Sequence, residues 1–89
     1  MRRLSIKLDK SRNRTGWYYF STLDKEINFI INHNIHGLKF LLKSKELRYS
    51  KPVKENVLVK EKLKDFNGYF GFEYQPIDSN ITLNVDILA

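Results

Sequence analysis

Ser21-Thr22-Leu23-Asp24-Lys25-Glu26-Ile27-Asn28-Phe29-Ile30-Ile31-Asn32-His33-Asn34-Ile35-His36-Gly37 is the stretch on which the fold class turns. Ser21 or Thr22 is suited to cap a helix, and Asp24 and Glu26 fall in its first turn, where the helix dipole favours negative charge. Leu23, Ile27, Ile30 and Ile31 follow at helical spacing and give one apolar stripe through about Asn34. Gly37 supplies a stop, because glycine takes the left-handed conformation past a helix end without a Cβ clash. The spacing therefore predicts an amphipathic helix, which needs a sheet face to bury its stripe.

Around this segment the pattern changes to period two. Leu4, Ile6 and Leu8 alternate with Arg3, Ser5, Lys7 and Asp9, as in a strand with one buried face. The polar stretch 10–16 reads as a loop, and Trp17-Tyr18-Tyr19-Phe20 has the bulky residues of a second strand, so the two form a hairpin with a basic tip. After Gly37, Leu38, Phe40 and Leu42 alternate with Lys39, Leu41 and Lys43, which favours a strand, although Leu38, Leu41 and Leu42 also fit a resumed helix. Residues 45–56 read as an irregular connection or a short strand around 47–49, and 57–66 as a strand.

Asn67-Gly68 is the strongest local signal, since a type I′ turn needs positive φ at both central residues and Asn-Gly supplies it. A two-residue loop there pairs Phe66 with Tyr69, Leu63 with Phe72 and Lys62 with Glu73. Ile81, Leu83, Val85 and Ile87 complete an alternating last strand. The expected fold is a single α+β domain over residues 1–89: an N-terminal hairpin, one helix packed on one face of an antiparallel sheet, a further strand and a C-terminal three-stranded meander.

Composition fits one small soluble domain, with 42% hydrophobic residues, twelve aromatics and no cysteine. Lack of cysteine removes disulfides, thiolate zinc sites and cysteine nucleophiles, and favours a reducing compartment. The basic start has no apolar run behind it, and no stretch approaches the length of a membrane span, so the expected location is cytoplasmic, with no membrane partner.

Catalytic constellations are poorly represented. His33 and His36 lie three apart, a spacing compatible with one metal, but no carboxylate or cysteine follows at ligand spacing, and they read better as solvated histidines at the negative end of the helix dipole. No glycine-rich loop opens a helix and no nucleophile elbow occurs. The expectation is a protein that is not an enzyme and carries neither metal nor other cofactor.

Charge points elsewhere. All 16 Lys and Arg residues lie between Arg2 and Lys64, which gives that segment +10, while residues 65–89 carry −4. Lys10, Arg12 and Arg14 run directly into Trp17, Tyr18 and Tyr19, and in a strand Trp17 and Tyr19 share a face. Lys60, Lys62 and Lys64 share a face of their own strand, which Lys39 and Lys43 could join. Cations beside stackable rings are how sequence-tolerant single-strand binders work. The reading is an accessory or regulatory protein contacting nucleic acid, RNA or single-stranded DNA ahead of duplex: Lys10, Arg12, Arg14, Lys60, Lys62 and Lys64 hold phosphates, and Trp17 or Tyr19 stacks on a base. The alternative is a small inhibitor or adaptor, of the kind phages and mobile elements encode, docking the same face on an acidic protein or nucleoprotein surface with an aromatic anchor. A homodimer through an exposed edge strand is compatible with both.

Overall fold

The computed structural model describes residues 2–21, 26–45, 48–54, 58–64 and 66–88, and gives the backbone path alone at 26, 27 and 58–64. Eight strands account for its regular structure: β1 (Arg2–Leu8), β2 (Tyr18–Ser21), β3 (Glu26–Asn32), β4 (Lys39–Lys43), β5 (Arg48–Pro52), β6 (Leu58–Lys64), β7 (Asn67–Glu73) and β8 (Ile81–Leu88). They form two four-stranded antiparallel sheets, ordered β1-β8-β3-β6 and β2-β7-β4-β5. The pairs β1/β8, β2/β7, β3/β6 and β4/β5 are nested, as though one long ribbon hairpin had been folded over on itself, and this is the strand order of a jelly roll. The chain is all-β, not α+β. Among the described residues there is no helix, hence none long and apolar enough to cross a membrane.

Residues 22–25 lie outside the described residues, but Glu26–Asn32 is strand β3, paired with both β6 and β8. Ile27, Ile30 and Ile31 are β-branched, and Asn28 and Asn32 are weak helix formers. As a strand, the segment turns Phe29 and Ile31 inward, and the alternation runs on through buried His33 and Ile35. The helical stripe would have left Phe29 to one side; here it has no exposed surface and meets Phe20, Phe40 and Phe70 of the other sheet at ring separations of 4.9, 5.3 and 5.2 Å. Burial of this ring in an aromatic core decides against the helix. Gly37 does adopt positive φ, 72°, but in the turn that passes the chain from β3 to β4 in the opposite sheet.

The two expected hairpins are absent. β1 pairs with β8 and β2 with β7, so the loop between β1 and β2 crosses from one sheet to the other. Asn67-Gly68 closes no turn: it opens β7, opposite Ser21 and Phe20 of β2, and the three-stranded C-terminal meander dissolves because β6, β7 and β8 are nowhere neighbours. Lys62 lies opposite Asn28 and Leu63 opposite Ile27, while Glu73 and Phe72 pair with Lys39 and Phe40. The local preference for a turn is outweighed by burial of Phe66, which stacks on Phe20 at 4.8 Å. Gly68 is needed for a different reason than a turn. A Cβ there would collide with the Lys43 carbonyl oxygen and approach the Phe66 ring within 2.9 Å.

Other strands match the alternation read from the sequence. Ile6 and Leu8 of β1, Phe40 and Leu42 of β4, and Leu83, Val85 and Ile87 of β8 are all buried. All six phenylalanines lie in the core between the sheets. β5, an edge strand paired with β4, lies in the region read as an irregular connection or a short strand.

Candidate nucleic-acid interface

With Tyr18, Phe20, Phe70, Phe72, Phe40 and Leu42 turned inward, the alternate residues of the second sheet turn to its outer face, where residues 15–17 cover Gly71. Register sets them in rows across the strands. Tyr19 stands opposite Tyr69, Tyr69 opposite Lys43, and Lys43 opposite Arg48. In the next row Gly71 is opposite Leu41 and Leu41 opposite Ser50; beyond it Glu73 is opposite Lys39 and is bridged on its other side by Arg14.

Trp17 reaches this face because the preceding loop is laid against β7. The Tyr74 N–H donates to Asn13 O at 2.9 Å, the Thr15 N–H to Phe72 O at 2.9 Å, and the Phe72 N–H to Thr15 Oγ1 at 3.0 Å. Farther back, the Tyr74 hydroxyl donates to Asp9 O at 2.7 Å, and burial holds its pKa above the ordinary value. Gly71 leaves room for the indole: a Cβ there would lie 3.4 Å from Trp17 Cε3 and only 3.0 Å from Gly16 O.

Three large rings are therefore exposed on one surface, Trp17 at 37%, Tyr19 at 58% and Tyr69 at 42%. Tyr19 and Tyr69 meet edge to face at 5.6 Å, and the Tyr19 hydroxyl donates to Asn67 Oδ1 at 2.7 Å, which together fix both rings. The Lys43 ammonium lies over Trp17 at 4.3 Å from the ring centroid and 5.5 Å from that of Tyr69; the Arg14 guanidinium is 5.7 Å from the indole. Two shallow depressions adjoin at Arg48. One, of about 470 Å³, lies among Tyr19, Tyr69, Lys43, Lys45 and Asn67; the other, of about 320 Å³, is lined by Trp17, Arg14, Leu41 and Tyr49. Against Arg14, Lys39, Lys43, Lys45 and Arg48 stands one described carboxylate on the face, Glu73, which faces Lys39 at 4.0 Å with both side chains about half exposed. An exposed pair of that kind neutralises little.

Of the residues singled out in the sequence, Arg14, Trp17 and Tyr19 come together here. Lys10 and Arg12 do not: they stay exposed in the turn after β1, where the Lys10 N–H donates to Asn80 Oδ1 at 2.8 Å and the Arg12 N–H to Asp9 O at 3.0 Å. Lys60, Lys62 and Lys64 lie on β6, the edge of the other sheet, opposite Ile30, Asn28 and Glu26. The expected continuous path from hairpin to lysine strand is thus divided between two layers. Tyr69, Lys45, Arg48 and Asn67 were not anticipated at the site, and Lys43 joins the aromatic face instead of the lysine strand.

Of the two histidines, His36 is exposed and His33 departs from expectation. His33 is buried, not solvated, and its Nδ1 accepts the Ile35 N–H at 3.0 Å. Among the described residues no three His, Cys, Asp or Glu side chains gather in a metal-holding group. Compared with known protein families, curated proteins and solved structures, the chain matches none of them.

Proposed function

We propose that this protein is a non-enzymatic accessory factor that binds single-stranded nucleic acid, RNA or DNA, on the outer face of its second sheet. The observation that carries this reading is the placement of three exposed rings, Trp17, Tyr19 and Tyr69, between the cations Arg14, Lys43 and Arg48 on one open surface. Bases stack on aromatic faces without regard to sequence, and cations beside them hold the phosphates. A flat, shallow surface suits unstacked bases better than a duplex, whose rings are already covered.

Trp17 is the sole tryptophan, so its emission reports on the site directly. Titration with a labelled single-stranded oligonucleotide, followed by anisotropy and by Trp17 quenching, tests the proposal. If Arg14, Lys43, Lys45 and Arg48 each meet one phosphate, log affinity falls against log salt with a slope of about −2.8, roughly a 50-fold loss between 50 and 200 mM. Trp17→Ala weakens binding by about 5- to 150-fold, the range of one base stack. Circular dichroism confirms that the variant is folded. Heparin binding as tight as that of the oligonucleotide, with no effect of Trp17→Ala on either, reduces the surface to a general polyanion site. Absence of oligonucleotide binding, with capture of an acidic protein through the same residues, returns the reading to the inhibitor or adaptor.

A further inference from the structure

Asn67 opens β7 and lies exposed at the rim of the larger depression. One of the two lone pairs on its Oδ1 is committed, since it accepts the Tyr19 hydroxyl proton at 2.7 Å. An uncommitted asparagine offers an acceptor and two donors, and it reads adenine by using both. With one lone pair of Oδ1 engaged, the two N–H donors of Asn67 outnumber its remaining acceptor site. Lys43, Lys45 and Arg48 around the same depression donate and never accept. The surroundings of a base held there are therefore heavy in donors.

Building on the nucleic-acid reading above, we infer that this depression selects bases through their carbonyl oxygens, and prefers uracil and thymine to cytosine. Asn67 is the reading residue. Tyr19 is the positioning residue that fixes which face of the amide is presented. Uracil and thymine offer O4 as an acceptor where cytosine carries the N4 amino donor. That amino group, set against the Asn67 N–H, meets donor with donor and leaves both unpaired. Comparison within the pyrimidines keeps ring size and self-stacking nearly constant, so hydrogen bonding is what differs.

The test is competition anisotropy at pH 7.5 with short uridine and cytidine oligomers, on the intact protein and on Tyr19→Phe and Asn67→Ala. The uridine oligomer binds about threefold to tenfold more tightly, the range of one hydrogen bond's net worth. Tyr19→Phe keeps the ring for stacking but releases the Asn67 amide to turn Oδ1 to the base, so the uridine-to-cytidine ratio falls toward one. Asn67→Ala brings the ratio toward one by weakening uridine. Tyr19 and Asn67 are both exposed, and circular dichroism verifies that the variants are folded. A ratio of one or less in the intact protein, or a ratio that survives either substitution unchanged, overturns the selection while leaving binding in place. If neither oligomer binds, the selection falls together with the function beneath it.

Discussion

Replacing Phe29 by Ala, beside Ile30 by Ala, sets the strand assignment of the central segment against the helical one. Phe29 has no exposed surface and packs on three rings of the facing sheet, so its truncation removes the one aromatic that the first sheet contributes to the Phe20, Phe40 and Phe70 cluster. Such a loss costs about 3–5 kcal/mol. A domain of this length has roughly 5–13 kcal/mol in total, so the variant stays folded only narrowly or not at all. Ile30 sits on the outer face between Asp86 and Lys60, partly exposed, and its truncation costs about 1 kcal/mol. At a urea slope of about 2 kcal/mol per molar, the midpoints fall by about 2 M and 0.5 M. Urea titration followed by far-UV circular dichroism measures both. If Phe29→Ala does not fold, Phe29→Leu against Ile30→Val preserves the comparison. The helical stripe of Leu23, Ile27, Ile30 and Ile31 demands the opposite ranking, and an Ile30 substitution as costly as its Phe29 counterpart would refute the sandwich assignment of β3.

Three further outcomes follow from the same geometry. Gly71→Ala crowds Gly16 O and the indole, so Trp17 emission shifts, stability falls by about 1 kcal/mol, and oligonucleotide affinity drops severalfold by titration. Lys43→Gln removes the ammonium from above Trp17 and Tyr69; the salt slope of oligonucleotide binding becomes shallower by about 0.7, and Trp17 emission changes even without ligand. The Arg3 guanidinium, bonded to Asp86 at 2.7 and 3.1 Å, holds that carboxyl below its ordinary 3.8, and the Ser11 N–H and hydroxyl do the same for Asp9. A lowered carboxylate pKa contributes stability that is complete above the unfolded value and is lost as the pH falls through the folded one. The urea midpoint therefore declines as the pH is taken below 3.8, and Asp86→Asn declines less than the parent over the same range.

What the sequence revealed and what it withheld divide along the range of the interactions. β1, β4 and β8 were legible because each buries one face, and Ile6/Leu8, Phe40/Leu42 and Leu83/Val85/Ile87 alternate accordingly. β3 was not, since the adjacent Ile30 and Ile31 satisfy a helical stripe as easily as a strand; the deciding signal was the run Phe29, Ile31, His33, Ile35, with a histidine in the buried series. Pairing was hidden for a different reason. Asn67-Gly68 is a local preference, and it yields to contacts such as Phe66 on Phe20 that span the chain. The site follows the same division. Arg14, Trp17 and Tyr19 are neighbours in sequence, whereas Tyr69, Lys43 and Arg48 come from three other strands and meet only through register. Tyr69 could have been assigned outward from its alternation with Phe70 and Phe72; that its row begins with Tyr19 could not.

Val85 pairs with Leu4 on one side and Ile31 on the other, so β8 is the strand that joins β1 to the rest of its sheet. During translation the earlier strand emerges first and must wait for the last one to be made. At roughly 5–20 residues per second that delay is about 4–16 s, through which Ile6, Leu8, Phe29 and Ile31 have no closed interior to enter. Until β8 is made that apolar face stays open, and over the same interval the growing chain carries the net positive charge of residues 2–64.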